Sequence, residues 1–356
     1  MKIIDISVEP STLDLAKPFV TARRTATILK MNMVKITTDT GHIGMGEATE
    51  SPMVTGDTIE SVKHAIIRYI SKDLIGRNIS DLQVNMEIID KAIVGNTGAK
   101  SAVDMAIYDL WGQFYKAPLY KLLGGYKDKL KTDMTVSIGK KDQMILDAKE
   151  YVAKGFDTLK IKTGKGGLSD FQVISDIAHA VGSQVSLCID ANQGWTPKEA
   201  IRIIKGLEYE GLNIQFVEQP VHASDYTGMA FVTKNTSIPI AADESVFSIQ
   251  DCTEILQQEA ADIINIKLMK CGGIHNAIKI LNIAESFGKS CIVGSMLESN
   301  LGATAAAHFA ASQKNVKYVD LDTVYFIADK AVQGGAIYNC KDISFSIGAG
   351  LGIKKN

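Results

Sequence analysis

Three acidic residues interrupt apolar stretches of the sequence at similar intervals. Asp190, Glu218 and Asp243 each end such a stretch, and 28 and then 25 residues separate them. A buried carboxylate is costly unless it is paired or bound to a metal. Oxygen ligands suit a hard cation such as Mg²⁺ better than Zn²⁺. Three acids that converge on one point therefore predict a site for one Mg²⁺, although each acid alone is equally typical of a helix cap.

Three lysines recur in comparable positions. Lys160 and Lys162 are two residues apart in T-L-K-I-K, so on a strand they share one face, and Lys267 ends a later apolar run. A base on each side of a metal-bound carboxylate can remove and return the proton at the α-carbon through an enediolate. We assign these transfers to Lys162 and Lys267, and expect Lys160 to lower the pKa of Lys162 by like-charge repulsion. Glu244 could orient Lys267, with a purely structural role equally open.

A second acidic pair, Asp320 and Asp322, is again two residues apart. Two acids at the far end of a cavity could bind a cationic group of a substrate whose carboxylate the metal holds. A free amino acid carries both groups on one carbon and cannot span that distance, whereas a dipeptide can. The alternative is that the two acids only cap the segment that follows.

The elements that must position these residues are short β-rich runs that alternate with helical stretches. Eight such runs occur, at 132–138, 157–163, 184–192, 214–220, 238–245, 261–268, 289–296 and 318–323. Comparable positions near their ends lie 24 to 30 residues apart, which fits one strand, one helix and two short loops. The sequence thus predicts an α/β fold, a (β/α)₈ TIM-like barrel with its reactive residues at the carboxyl ends of the strands.

The geometry of a closed eight-stranded barrel relates these residues to one another. The second and sixth strands face each other, so their lysines flank the metal, and the eighth strand lies across from Glu218 on the fourth. We predict that the barrel domain covers residues 126–324. Residues 1–125 predict an α+β capping domain, with a hairpin and helices near 58–72, 82–94 and 99–115. Loops at 16–25 and 50–56 could reach over the barrel mouth, and 325–356 are expected to return to the capping domain.

Composition excludes several classes of protein. Thirty-eight basic and 40 acidic residues, mixed along the chain, leave a net charge of −2, which predicts neither nucleic acid nor a membrane surface as a partner. The N-terminal residues lack the apolar core of a signal peptide, and a cytoplasmic location is expected. Five widely spaced cysteines without C-x-x-C pairs are typical of free, packed thiols. Oligomeric state is not readable, so a homo-oligomer stays open.

Together these residues resemble a known family. T-L-K-I-K (158–162), D-A-N-Q-G-W (190–195), V-E-Q-P (217–220), A-D-E-S (242–245), I-N-I-K-L-M-K-C-G-G (264–273) and D-L-D (320–322) are similar to the motifs of the muconate-lactonizing subgroup of the enolase superfamily, and within it of the dipeptide epimerases. The resemblance covers nearly the whole chain. Relatives often carry a basic residue where this chain has Cys188, which we expect to point outward to the helices.

The resemblance implies roles that agree with the spatial argument: Mg²⁺ on Asp190, Glu218 and Asp243, acid/base work by Lys162 and Lys267, and binding of the dipeptide ammonium by Asp320 and Asp322. It adds Asn192 as a residue that supports the metal ligands. Arg24, in a loop similar to T-A-x-R-T, would bind an acidic substrate side chain, which implies L-Ala-L-Glu and its D-Glu epimer, a muropeptide-derived dipeptide. Further pocket residues that would contact the substrate are Thr135, Lys160, Ser295, Leu297 and Glu298, with Met296 beside Leu297.

Competing interpretations stay open. A cycloisomerase, an N-acylamino acid racemase or an o-succinylbenzoate synthase of the same subgroup would share the lysines and the metal, but their substrates lack an ammonium group for Asp320 and Asp322. A dipeptide epimerase of different side-chain specificity is also compatible with these residues. A different class, a catalytically inactive barrel that binds a ligand or partner, conflicts with the complete set of expected catalytic residues. His308, within A-A-A-H-F-A-A, is expected to be a packed helix residue.

Overall fold

A computed structural model describes residues 1–21 and 25–354 of the chain. It begins with an antiparallel sheet of three strands, β1 (Ile3–Val20), β2 (Thr25–Thr38) and β3 (Ile43–Thr49), with β2 in the middle. The expectation of a loop over 16–25 is wrong for its first half, because β1 continues to Val20 and pairs with Thr25 of β2. The alternation of polar and apolar residues along β1 is that of a strand with one covered face.

Helices pack against one face of this sheet. They are α1 (Ile59–Ala65), which continues through a π-helical turn (Ile66–Ile70) into α2 (Ser71–Leu74), then α3 (Leu82–Ala92), α4 (Thr97–Phe114) and α5 (Leu119–Leu122). Strand β3 lies directly on α4, because a Cβ at Gly46 would come within 2.0 Å of the Ala102 carbonyl oxygen. Only glycine allows that approach. The three predicted helices are confirmed, and their bounds lie within a few residues of the predicted ones.

Eight parallel strands form the second sheet, in the order of the sequence. They are β5 (Met134–Val136), β6 (Thr158–Lys162), β7 (Ser186–Asp190), β8 (Ile214–Glu218), β9 (Ile240–Ala242), β10 (Ile263–Ile266), β11 (Ser290–Gly294) and β12 (Val316–Asp320). The first seven lie within the predicted runs, and β12 begins two residues before the eighth run and overlaps it. The predicted (β/α)₈ architecture and the separate N-terminal α+β unit are confirmed.

Residues just before β5 bring the first and last barrel strands together. The Asp133 N–H donates to the Val319 carbonyl oxygen at 3.3 Å, and the Leu321 N–H donates to Thr132 Oγ1 at 2.9 Å. The Thr135 N–H reaches Asp322 Oδ2 at 2.6 Å. These contacts join the two edges of the sheet, so that side chains on both edges face the same interior.

The helices that connect the barrel strands cover its outside. They are α6 (Lys141–Ala153), α7 (Asp170–Val181), α8 (Pro197–Tyr209), α9 (Tyr226–Asn235), α10 (Ile249–Gln257), α11 (Leu268–Cys271), α12 (Ile274–Ser286) and α13 (Asn300–Ser312). The single turn of α11 begins directly after Lys267, at the carboxyl end of β10. None of the helices in the described ranges is long and apolar enough to cross a membrane.

The lower part of the barrel interior is apolar. Cys188, Phe216, Ala241, Ile263 and Ile292 form one buried cluster, one from each of five neighbouring strands. The expectation that Cys188 points outward is wrong, because it is two residues before Asp190 on β7 and shares its inward face. The charged residues of β6, β7 and β8 lie in the layer above.

The C-terminal segment forms a small third sheet. Strand β4 (Leu130–Lys131) pairs with β14 (Asp342–Phe345), which pairs with β13 (Ala336–Asn339). The segment also contacts the N-terminal unit, through a bridge between Leu15 and Ile327. The proposed division into a domain of 1–125 with 325–356 and a barrel of 126–324 stays a prediction.

His308 lies within α13 and is buried, as the sequence predicts. Its Nδ1 accepts a hydrogen bond from the Tyr120 N–H at 3.1 Å, which fixes the start of α5 against α13. Burial lowers the pKa of the imidazole to about 3. The ring is therefore neutral in the folded protein, while in the unfolded chain it titrates near its usual value of about 6.5.

This difference predicts an acid-sensitive contribution to stability. Between about pH 6.5 and 3 the unfolded chain binds more protons at His308, so the free energy of unfolding should fall by about 1.4 kcal/mol per pH unit as the pH falls. Urea unfolding from pH 7.5 to 5 should show that His308→Gln loses about 2 kcal/mol less than the unchanged protein. His64→Gln, at an exposed position, is the control. Parallel curves for all three proteins would contradict the prediction.

Candidate active site

A pocket opens at the carboxyl ends of the barrel strands. The barrel contributes Thr135, Lys162, Lys267, Ser295 and Leu297 among its walls, and Asp320 and Asp322 line the same space. Phe19, Thr21, Met53 and Val54 come from the N-terminal unit and border the pocket. The expected loop at 50–56 therefore does reach the barrel mouth. Arg24 lies outside the described residues, and Thr21 is the last described residue before it.

The three acids predicted to bind metal lie at neighbouring strand ends. Asp190 ends β7, Glu218 ends β8 and Asp243 follows β9, and these residues are 0%, 1% and 2% exposed. Parallel strands bring their carboxyl ends to one edge, so the spacing in the sequence becomes a row in space. Each acid is paired with at least one ammonium group rather than left alone.

Lys160 holds the centre of the charged layer. Its Nζ lies 3.2 Å from Asp190 Oδ2, 2.8 Å from Glu218 Oε2 and 2.7 Å from Asp320 Oδ2. Burial alone would lower the pKa of Lys160, but Asp320, Glu218 and Asp190 raise it well above its usual value. Lys160 therefore carries a positive charge and joins the acid row to the Asp320 side of the barrel.

The two lysines expected to move protons approach the acid row from its two flanks. Lys162 Nζ lies 2.5 Å from Asp190 Oδ2, and Lys267 Nζ lies 2.6 Å from Asp243 Oδ2. Glu218, between them in strand order, separates the two pairs. Both lysines border the pocket, so a substrate held there would have one ammonium group on either side. Burial opposes the charge of Lys267, but Asp243 raises its pKa above the usual value.

Two residues that the sequence argument did not assign complete the row. Lys270, 1% exposed, places Nζ 2.5 Å from Asp243 Oδ1, on the opposite oxygen from Lys267. Asn265 donates from Nδ2 to Glu218 Oε1 at 2.9 Å. The signals were available: Asn265 is two residues before Lys267 and shares its face, and Lys270 is one helical turn after it.

Ion pairing and burial determine the charge of each acid. Burial would raise the pKa of Asp190, yet Lys162 and Lys160 lower it to about 2. Lys267 and Lys270 likewise overcome burial and hold the pKa of Asp243 well below its usual range. For Glu218 burial dominates and raises the pKa to about 8, despite Lys160. The carboxyl groups at the two ends of the row are therefore the ionised ones.

The donor set fits a hard cation. Seven buried or nearly buried acids share this region with four lysines, so carboxylates exceed ammonium groups by three: Asp133, Asp190, Glu218, Asp243, Glu244, Asp320 and Asp322 against Lys160, Lys162, Lys267 and Lys270. Asn192 Oδ1 and Glu244 Oε2 are buried without a hydrogen-bond partner among the described residues. A divalent cation would favour ionisation of the carboxyl groups whose pKa burial raises, such as Glu218, and would bind oxygens that lack a partner.

Glu244 does not contact Lys267. Its Oε1 accepts a hydrogen bond from Asn192 Nδ2 at 3.4 Å, and the partner of Lys267 is Asp243. Of the two roles that the sequence leaves open for Glu244, this contact favours the structural one, because Glu244 follows Asp243 and points to the neighbouring β7 loop. Asn192 is anchored by its N–H, which donates to Asp190 Oδ1 at 2.9 Å.

The acidic pair of the eighth strand is confirmed as neighbours in space, but neither acid is free. Asp320 is paired with Lys160, and Asp322 accepts the hydrogen bond from the Thr135 N–H. Asp133 joins them, and ligand oxygens of all three lie within 4.8 Å of one another. Asp133 is a further residue that the sequence argument missed, since no spacing connects it with the eighth strand.

Ser295 and Leu297 border the pocket, whereas Glu298 lies behind its wall. Glu298 is 1% exposed, and its N–H donates to Thr323 Oγ1 at 3.0 Å. The adjacent Ser299 N–H donates to Glu47 Oε1 on β3 at 2.8 Å. The segment that carries these pocket residues is therefore attached to the N-terminal sheet.

Comparison with protein families accounts for both parts of the chain. Residues 3–124 match the mandelate racemase/muconate lactonizing enzyme N-terminal domain, and residues 143–356 match the enolase C-terminal domain-like family. The chain is 47% identical to the L-Ala-D/L-Glu epimerase of Clostridium acetobutylicum over 354 residues, 99% of each chain. It is 41% identical to the hydrophobic dipeptide epimerase of Enterococcus faecalis over 356 residues, again 99% of each.

Solved structures agree with these relatives. A substrate-liganded complex of the L-Ala-D/L-Glu epimerase from Bacillus subtilis superimposes with a TM-score of 0.98 at 46% identity and 99% coverage of each chain. The Enterococcus faecalis dipeptide epimerase complexed with Mg and L-Leu-L-Tyr gives 0.96 at 40% identity and full coverage of both. The matched domains, the barrel and the row of acids and lysines lead to one conclusion: the chain belongs to the mandelate racemase/muconate lactonizing enzyme family of the enolase superfamily.

Proposed function

We propose that this protein is an isomerase that epimerises a dipeptide at the α-carbon of its C-terminal residue, by proton transfer with two bases. The observation that carries the proposal is the arrangement of Lys162 and Lys267 on the two flanks of one buried row of acids. Inversion at a carbon needs a base on one face and an acid on the other. The relatives that match nearly the whole chain are named as epimerases.

Asp190, Glu218 and Asp243 would hold one Mg²⁺. When bound, the cation would supply a positive charge that stabilises the enediolate form of the substrate carboxylate. Asn192, whose N–H holds Asp190 Oδ1, would support this ligand set. Lys270 would keep Asp243 in place from the side opposite Lys267. The Enterococcus faecalis relative, complexed with Mg and a dipeptide, supports this cofactor.

Lys162 and Lys267 would exchange roles with the direction of the reaction. One removes the α-proton from its face of the substrate and the opposite ammonium group returns a proton to the other face. In this structure each of them is bound to a carboxylate of the acid row. Neutralisation of that row by a cation would weaken those ion pairs and leave the lysines available to the substrate.

Asp320 and Asp322, carried by the strand across the barrel from that of Glu218, would bind the dipeptide ammonium. Thr135, Ser295 and Leu297 would contact the substrate between its ammonium and carboxylate groups. The Arg24 loop would then meet the C-terminal side chain. We propose L-Ala-L-Glu and L-Ala-D-Glu as the pair interconverted, supported by the 47% identical relative of that name. The location in the cytoplasm, a muropeptide source and assembly into a homo-oligomer remain predictions.

The metal ligands can be tested without an activity assay. Mg²⁺ that binds only the folded protein should stabilise it, by about 2.7 kcal/mol at one hundred times the dissociation constant. Asp190→Asn, Glu218→Gln and Asp243→Asn should each abolish most of the Mg²⁺-dependent rise in the thermal unfolding midpoint. Asp262→Asn, which removes a half-buried ion pair with Lys289, is the control and should keep the rise. A full Mg²⁺ response in all three acid variants would contradict the assignment.

Each proposed base can be tested separately by solvent isotope exchange. In D₂O with Mg²⁺, L-Ala-L-Glu should exchange one α-hydrogen and yield the L,D diastereomer. Lys162→Ala and Lys267→Ala should each reduce epimerisation at least about 100-fold. Each variant should still exchange the α-hydrogen of one diastereomer, and the two variants should differ in which one. Lys149→Ala, exposed on α6, should behave as the unchanged protein. Inversion that persists in either active-site variant would rule out the two-base mechanism.

Substitution of Asp320 and Asp322 distinguishes dipeptide epimerisation from the alternative activity, racemisation of N-succinyl amino acids. A relative with 35% identity is named as an N-succinyl-L-Arg/Lys racemase, and an N-succinyl substrate has no free ammonium group. Asp320→Asn combined with Asp322→Asn should lower kcat/KM for the dipeptide at least about 30-fold, because a buried ammonium would lose its charged partners. Racemisation of N-succinyl amino acids should not fall with it. Asp342→Asn, at an exposed position, is the control. An equal loss for both substrates would contradict the assignment of the ammonium group to this acidic pair.

A further inference from the structure

Asp133, Asp320 and Asp322 form a cluster, called here the acidic triad, at the meeting point of the first and last barrel strands. Ligand oxygens from the three side chains lie within 4.8 Å of one another. The residues are 6%, 8% and 4% exposed. Three carboxylates so close together in a buried position repel one another strongly if all are ionised. Some group in the triad must therefore carry a proton.

Hydrogen bonding identifies which acid that is. Asp320 Oδ2 is 2.7 Å from Lys160 Nζ, and Asp322 Oδ2 accepts from the Thr135 N–H at 2.6 Å. Asp133 Oδ1, by contrast, is buried without a hydrogen-bond partner in the part of the chain that the structure describes. Donors stabilise an ionised carboxylate, so the charge is best placed on Asp320, and next on Asp322, whose pKa burial and Asp320 raise to about 7. Asp133 is the acid that keeps its proton.

The electrostatic surroundings agree with this assignment. Burial, then Asp320 and Asp322, raise the pKa of Asp133 well above its usual value, and Glu218 adds to the effect. Lys160 opposes it, but this lysine is already shared among Asp190, Glu218 and Asp320. On the other side of Asp133 the charged and titratable groups are Lys131, Asp157, Cys188, Lys317 and Tyr318, which line a cavity.

That cavity is lined by Asp133 and by the exposed residues Lys131 and Lys317. It has a volume of about 200 Å³ and lies at the amino-terminal end of the barrel. Polar groups from Thr132, Asp157 and Gln215 line it as well, so the space can hold ordered water. Asp133 thus lies between the ammonium end of the pocket and a cavity at the amino-terminal end of the barrel, whose wall also includes Phe216 and Ile292 of the apolar cluster.

We propose that substrate binding is coupled to proton release from the acidic triad. Asp133 holds one proton in the free enzyme. It loses that proton to the cavity at the amino-terminal end of the barrel when a dipeptide ammonium binds Asp320 and Asp322. The inference rests on the proposed function. The arriving ammonium adds one positive charge beside the triad, which favours ionisation of Asp133. The departing proton keeps the total charge of the region unchanged. Asp133 is a positioning residue that acts through Asp320 and Asp322.

The sign of the pH dependence follows from this coupling. The complex holds one proton fewer than the free enzyme, so dipeptide affinity should rise with pH while Asp133 is protonated in the free enzyme and ionised in the complex. Within that range the dissociation constant should fall by up to about tenfold per pH unit. An N-acetylated dipeptide carries no ammonium group. Any binding of this ligand should therefore lack the pH dependence.

Titration calorimetry tests the proposal directly. The probe is an equilibrated mixture of L-Ala-L-Glu and L-Ala-D-Glu with Mg²⁺ present, so that no net epimerisation heat arises. In buffers of different ionisation enthalpy at one pH near neutrality, the unchanged protein should release close to one proton per dipeptide bound. Asp133→Asn should release clearly fewer protons, and its dissociation constant should depend less steeply on pH, with Asp322 as the titrating acid that remains in the triad. Asp157→Asn, which removes an acid from the same cavity, should release as many protons as the unchanged protein.

Three results would overturn the inference. If the unchanged protein binds the dipeptide without releasing a proton, the inference is overturned. This result does not depend on whether the Asp133→Asn variant folds. Release that persists undiminished in Asp133→Asn would place the proton elsewhere. Loss of Mg²⁺ binding in Asp133→Asn, measured by the same method without dipeptide, would show that the triad is a metal site. Absence of any dipeptide binding would instead overturn the proposed function and this inference together, so the two failures are distinguishable.

Discussion

The structure depends on a network of buried ion pairs in the upper layer of the barrel. Lys160 contacts three acids from three strands, and Lys162, Lys267 and Lys270 extend the network to both sides. Removal of one member of such a network leaves an uncompensated charge away from water, at a cost of about 3 to 5 kcal/mol. Each of these side chains therefore fixes the positions of the others. This mutual restraint keeps two lysines on opposite flanks of one row of acids.

The network is incompletely neutralised, and that imbalance connects stability with chemistry. Lys267 and Lys270 hold the two oxygens of Asp243 from different sides, while Glu218 keeps a raised pKa beside its single lysine. A cation that entered this region would relieve repulsion between acids and free the flanking lysines. The same imbalance recurs in the acidic triad, where one lysine serves three carboxyl groups. In both places a carboxyl group with a raised pKa, Glu218 or Asp133, limits the negative charge, and a cationic ligand would favour its ionisation.

The barrel and the N-terminal unit contribute different residues to the site. The barrel supplies every charged residue of the network, whereas Phe19, Thr21, Met53 and Val54 of the N-terminal unit border the pocket mouth. The N-terminal sheet also holds the segment of Ser295 and Leu297, through the hydrogen bonds from Ser299 to Glu47. Substrate preference can therefore vary with the N-terminal unit while the chemistry in the barrel is retained. Relatives named for different dipeptides share this fold.

The sequence by itself determined the barrel, the acid row and the three lysines, because parallel strands convert a regular spacing into adjacency at one edge. Asn265 and Lys270 followed the same periodicities and could have been found. Tertiary structure alone decided that Glu244 turns to Asn192, that Glu298 lies behind the pocket wall, and that Asp133 joins Asp320 and Asp322. These contacts depend on loop paths and on how the first and last strands meet. Loop paths and strand closure arise from packing between distant segments, for which local residue patterns carry no periodic signal.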